Sequence, residues 1–109
     1  MTPQEAQDLV KQGKAILIDV REEDELRETG TAEGAHWMPL SAITEDTDQW
    51  RQFRDGLPKN KTLIVFCKVG GRAGRVCEFL GGDGFQTVNL GGFAAWKSAG
   101  LPVRAFHAR

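Results

Sequence analysis

Apolar positions along this chain fall into two kinds of pattern that take turns. Ala15-Ile-Leu-Ile-Asp-Val20 and Thr62-Leu-Ile-Val-Phe-Cys67 are short, nearly continuous apolar runs rich in β-branched residues, the pattern of strands covered on both faces. Phe85-Gln-Thr-Val-Asn-Leu90 alternates with a period of two, as a strand does. Between these runs apolar residues recur at helical spacing. Trp50 and Phe53 lie in a segment from Thr47 to Arg54. Ala73, Val76, Cys77 and Leu80 share one face of a helix ending at Gly81-Gly-Asp-Gly84. Phe93 and Trp96 belong to a last helix opened by Gly91-Gly92 and stopped by Gly100 and Pro102.

The remaining segments are read from their end signals. Thr2-Pro-Gln-Glu5 starts a first helix that runs to about Gly13, with Thr2 as N-cap, Pro3 in the first turn and Glu5 closing a capping box. Residues 22–29 are acidic and fit a short helix, residues 30–35 a loop. His36-Trp-Met-Pro-Leu40 fits a short strand, whose Pro39 marks an edge or a strand end. Strands alternating with helices imply an α/β sandwich with a mostly parallel sheet and right-handed crossovers.

Composition narrows the class without changing the fold. A chain of 109 residues suits one domain, which buries about 65% of the surface its unfolded form exposes. With 40% hydrophobic and 27% charged residues and a net charge of -1, disordered, collagen-like and disulfide-scaffold classes are excluded. An isoelectric point near 6.1 argues against a nucleic-acid partner. The longest apolar runs are Ala15–Ile18 and Leu63–Cys67, far short of the roughly 18 residues that cross a bilayer, so no membrane span is expected. Met1 to Val10 lack the features of a secretory signal. The expected location is cytoplasmic, where two cysteines are thiols rather than a bridge. Neither a metal nor a cofactor is expected.

Charge is uneven along the chain. Between Asp19 and Glu33 stand seven acids against Arg21 and Arg27, and such a run reads first as a solvated face. From Gly56 to Cys77 there are five bases, Lys59, Lys61, Lys68, Arg72 and Arg75, and no acid. Three of them surround a cysteine.

That cysteine opens Cys67-Lys-Val-Gly-Gly-Arg72, a loop between a buried strand and a helix, where open parallel sheets place their ligands. Gly70 and Gly71 allow the backbone to curl so that successive N–H groups point inward, and the following helix adds its positive end. Lys68 and Arg72 bracket this nest with formal charge. All three contributions favour thiolate over thiol at Cys67, and the thiolate is the nucleophile. The same donors suit an oxyanion substrate. Alone, a cysteine at a buried strand end is a small hydrophobe; with these neighbours it reads as the reactive group. Cys77, on the apolar face of the next helix, reads as core packing, with a resolving disulfide partner for Cys67 as the alternative.

Taken together these residues resemble the rhodanese-like domains in their single-domain sulfurtransferase form. The resemblance runs from Ile18-Asp-Val-Arg-Glu22 through Gly34-Ala35, Val65-Phe-Cys-Lys-Val-Gly-Gly-Arg72, Leu80 and Gly84-Phe85 to Gly91-Gly-Phe-Ala-Ala-Trp96 and Gly100-Leu-Pro102. It implies a single domain over residues 1–109, a three-layer sandwich around a mostly parallel sheet of about five strands. It also implies a sulfurtransferase in which Cys67 takes a sulfane sulfur from a small anionic donor such as thiosulfate. The resulting persulfide passes that sulfur to cyanide, a thiol or a carrier protein. Lys68, Val69, Gly70, Gly71 and Arg72 would bind substrate, while Asp19 and Arg21 would brace the fold and Trp96 would pack the last helix. Many members carry Gly-His-Ile-Pro-Gly-Ala where this chain has Gly30-Thr-Ala-Glu-Gly-Ala35, so a histidine is replaced by Thr31. The remaining histidines, His36 and His107, are far from the loop in sequence, and no Cys-His couple is expected. The alternatives are a non-catalytic interaction or regulatory domain of the same fold and a cysteine-dependent phosphatase or arsenate reductase. The latter resembling enzymes carry one more residue between cysteine and arginine than the four found here, enough to enclose a phosphate-sized anion.

Overall fold

The structure is a computed structural model that describes residues 1–106; His107 lies outside the described residues. In chain order the elements are α1 (Pro3–Lys11), β1 (Ala15–Asp19), α2 (Glu23–Thr29), β2 (Thr31–Ala32), β3 (His36–Trp37) and α3 (Leu40–Thr44). Then follow α4 (Asp48–Asp55), β4 (Thr62–Cys67), α5 (Gly71–Gly82), β5 (Gln86–Gly92), α6 (Phe93–Ser98) and β6 (Val103–Arg104). The start of α1 is capped as the sequence predicts. The Thr2 hydroxyl accepts from the Glu5 N–H at 3.1 Å, and the Glu5 carboxylate accepts from the Thr2 N–H at 2.8 Å. Thr47 caps α4 in the same manner, accepting from the Trp50 N–H.

The sheet has the order β3-β1-β4-β5, with every neighbouring pair parallel. Because side chains alternate across a strand, β4 feeds two apolar layers. Leu63, Val65 and Cys67 join Trp50 of α4 and Ala73, Val76 and Leu80 of α5. Ile64 and Phe66 join Ala6 of α1 and Phe93 and Trp96 of α6 on the opposite face. Cys67 thus ends the row that faces α5.

The central sheet has four strands instead of about five. The two-residue strands β2 and β6 form a separate antiparallel pair, Thr31 opposite Arg104 and Ala32 opposite Val103, inside what reads locally as a loop. The strand expected over 36–40 stops at Trp37, since Pro39 has no N–H for a ladder and serves as the residue before α3. β5 extends to Gly92. Val65 pairs with Asn89 but Phe66 with Gly91, so Leu90 is an extra residue in a bulge that brings Gly92 opposite Cys67. A methyl group on Gly92 would overlap the Lys68 carbonyl, which reserves that position for glycine. Among the described residues, no helix is long and apolar enough to cross a membrane.

Candidate active site

β4 delivers Cys67 at the carboxyl end of the sheet, and Lys68, Val69 and Gly70 turn the chain into α5. Gly70 has φ +102°, in the left-handed region that favours glycine, and this reversal aims main-chain donors back at the cysteine. The Gly70 N–H donates to the Cys67 Sγ at 2.9 Å, and the Ala73 N–H of the first helical turn donates at 3.4 Å. Cys67 is itself 0% exposed and belongs to the apolar cluster of Val65, Ala73 and Val76. The sulfur therefore combines a hydrocarbon floor with two peptide donors. Among the described residues, the N–H groups of Val69, Gly71 and Arg72 meet no protein acceptor, leaving donors at the loop for an anion.

The expected loop residues divide by exposure. Lys68, Val69 and Gly71 are exposed, Val69 at 83%, so Val69 contributes backbone while its side chain faces outward. Arg72 behaves differently from expectation. Its Nη1 and Nη2 donate to the two carboxylate oxygens of Glu25 at 2.5 and 2.8 Å, a bidentate pair that ties the loop to α2. These bonds hold the Glu25 carboxyl down at about 2. The carboxylate in turn raises the Arg72 guanidinium above its usual value, with the Cys67 sulfur adding a smaller attraction. Glu25 accepts from the Glu22 N–H as well.

Asn89 on β5 straps the other side of the loop. Its Nδ2 donates to the Gly70 carbonyl at 2.9 Å, and its Oδ1 accepts from the Gly91 N–H at 2.9 Å. Gly70 O also accepts from Gly74 N–H, so this peptide is held from two sides. Sequence patterning passed over Glu25 and Asn89. Glu25 was one of seven acids in a run, and Asn89 was a polar position in an alternating strand.

Beneath the site, Asp19 and Arg21 form a buried pair at 2.8 Å. Arg21 also donates to Thr29 Oγ1 and Gly30 O, each at 2.8 Å, and Thr31 Oγ1 donates to Asp19 Oδ2 at 2.7 Å. Trp96 closes the opposite face of the fold, its Nε1 donating to Pro102 O. Cys77 is half-buried at the edge of the α5 layer, and burial pushes its thiol up, which lowers its reactivity. His36 sits on edge strand β3 with its ring against Phe53. No group of three or more His, Cys, Asp or Glu among the described residues is arranged to hold a metal ion.

This architecture matches a known family: the rhodanese-like domain profile covers residues 2–99. The chain belongs to the rhodanese-like domain family. It is 30% identical to thiosulfate sulfurtransferase GlpE of Actinobacillus succinogenes, over 94% of this chain and 87% of that protein. It is 28% identical to a sulfurtransferase of Allochromatium vinosum, over 83% and 78% of the two chains. The crystal structure of a rhodanese-like domain protein from Staphylococcus aureus superposes with a TM-score of 0.72 at 26% identity, covering 96% of this chain and 97% of that one. The rhodanese-like sandwich is thus shared, and curated relatives of the domain carry sulfurtransferase names.

Proposed function

We propose that this rhodanese-like chain moves a sulfane sulfur from thiosulfate to a thiophilic acceptor through a persulfide on Cys67. The Cys67 thiolate attacks the outer sulfur of thiosulfate, a new S–S bond forms, the old one breaks and sulfite leaves with the electron pair. An acceptor such as cyanide then attacks the outer sulfur of the persulfide. Thiocyanate leaves and the Cys67 thiolate returns, so no proton has to be taken by a histidine. Lys68, Val69, Gly70, Gly71 and Arg72 supply the positive rim and main-chain donors for the anionic donor and for the terminal persulfide sulfur.

The observation that carries this reading is the pair of N–H groups, Gly70 and Ala73, directed at a buried Sγ. These donors find an acceptor in the sulfur and are the kind of main-chain groups that a sulfur anion needs around it. The names of the curated relatives support the same reaction class. Incubation with thiosulfate is expected to add one sulfur mass, read by intact-protein mass spectrometry, and cyanide is expected to remove it as thiocyanate. Cys67→Ala abolishes both, whereas Cys77→Ala retains them. Labelling that survives Cys67→Ala would overturn the assignment.

A further inference from the structure

Two cations stand in the loop that begins at Cys67, Lys68 and Arg72, but the fold leaves only one of them free. Arg72 Nη1 and Nη2 donate to both carboxylate oxygens of Glu25, at 2.5 and 2.8 Å, and the two side chains are 29% and 23% exposed. Glu25 is itself fixed, because the oxygen that meets Nη1 also accepts from the Glu22 N–H in the capping box of α2. The guanidinium keeps three unused N–H groups, yet it offers them as half of a neutral pair. The Glu22 carboxylate, which accepts from the Ser41 N–H and hydroxyl at the start of α3, adds to the negative side of the balance at Arg72.

Other cations nearby do not replace the one that Glu25 offsets. Arg21 is spent on Asp19. Arg75 lines a separate groove with Leu40, Thr44 and Phe79, and Lys97 shares a hollow with Lys68 and with Glu28, whose charge opposes it. Lys68, exposed and without an ion-pair partner among the described residues, is the uncompensated charge next to Cys67. The main-chain N–H groups of the loop are dipoles that hold an oxyanion without supplying a full charge. A doubly charged donor such as thiosulfate therefore meets a single free cation. An organic thiosulfonate carries the same outer sulfur with one terminal oxygen exchanged for carbon, is singly charged, and needs no second cation.

We infer that Glu25 is a specificity-determining residue: by occupying the fork of Arg72 it turns the site from doubly charged sulfur donors toward singly charged ones, the organic thiosulfonates. The inference rests on the sulfurtransferase reading above and deepens it, since thiosulfate remains a donor but one taken less readily than the two cations of the loop imply. In the step it serves, the Cys67 thiolate attacks the outer sulfur of the thiosulfonate. A new S–S bond forms, the bond to the sulfonyl sulfur breaks, and the organic sulfinate leaves with the electron pair. Total charge is unchanged and no oxidant or reductant is consumed.

The test is a competition at low ionic strength, where charge is least screened. Thiosulfate carrying heavy sulfur at its outer atom competes with unlabelled methanethiosulfonate for the reduced protein, and early intact-mass spectra give the ratio of the two persulfides, hence of the two kcat/KM values. Nucleophile and reacting sulfur are common to both donors, so a change of that ratio between variants reads the charge at the site. Glu25→Gln keeps the side-chain shape and frees the Arg72 charge, and it is expected to move the ratio toward thiosulfate by about two- to five-fold, the worth of a part-exposed ion pair. Arg72→Met leaves Glu25 unopposed and is expected to move it by a similar factor the other way. The double variant, with both charges gone, is expected to return to the wild-type ratio. An unchanged ratio in Glu25→Gln, or shifts of the same sign in Glu25→Gln and Arg72→Met, overturns the role of Glu25 and leaves persulfide chemistry standing. Should Glu25→Gln fail to fold, Arg72→Met against the double variant decides, since equal ratios in those two overturn the inference. A wild-type chain that takes sulfur from neither donor overturns the sulfurtransferase reading itself, and this inference with it.

Discussion

Arg72 is bound to Glu25 through two of its five N–H donors, so the charge next to the cysteine is also a latch between the loop and α2. The pair is mostly shielded, with side chains 29% and 23% exposed. Because the folded chain holds the Glu25 carboxyl near 2, below its ordinary value of 4.5, the pair stabilises the fold fully above the ordinary value. That stabilisation is lost as pH falls through about 2. Glu25→Gln should cost roughly 1–3 kcal/mol near neutrality after allowance for solvent screening. Urea unfolding at several pH values should show the difference shrinking between pH 4.5 and 2. A difference that stays constant down to pH 2 would mean that the latch contributes through packing and not through charge.

At the scale of elements, the junction of β4, α5 and β5 sets the loop. The bulge at Leu90 places Gly92 against Lys68, and Asn89 pulls on the Gly70 carbonyl, which turns the N–H of the same peptide, that of Gly71, the other way. Losing one such neutral hydrogen bond costs about 1 kcal/mol, so Asn89→Ala should lower kcat/KM for thiosulfate by about five-fold, chiefly through KM. Asn89→Asp separates the two bonds of this side chain, since it can still accept from Gly91 N–H but cannot donate to Gly70 O. Activity restored by Asp would assign the effect to Gly91 and remove the strap on Gly70.

What patterning reveals about these elements follows their range. The capping box at Thr2 and Glu5, the apolar run of β4 and the Gly-rich turn after Cys67 are decided within a few neighbours, and they stand where the sequence puts them. The pairing of Thr31 with Arg104 and the contact of Arg72 with Glu25 join distant parts of the chain. Neither has a local signature. A two-residue strand is too short for periodicity to show, and one acid in a run looks like its neighbours until a guanidinium meets it. Pro39 was legible as a strand end, but the turn of helix that follows it was not, because a five-residue helix hardly has a face.

For the molecule as a whole, Arg21 is the point where the layers meet. It pairs with Asp19 at the end of β1, donates to Thr29 and Gly30 at the C-terminal end of α2, and lies 4.3 Å from the centre of the Phe93 ring of α6, within reach of a cation-π contact. Removing one partner leaves a buried charge uncompensated. Asp19→Ala is therefore expected to cost about 3–5 kcal/mol, read as a lower urea midpoint. A loss under 1 kcal/mol would show that the carbonyl of Gly30 and the ring of Phe93 suffice to hold the guanidinium.

Thr31 completes this brace through a hydroxyl, at the position where the family resemblance implies a histidine. Imidazole exchanges a proton near neutrality; an aliphatic alcohol does not. Position 31 of the brace thus keeps its one hydroxyl hydrogen from mildly acidic to mildly alkaline surroundings. A turnover that varies with acidity in that range therefore does so without any contribution from a proton at position 31.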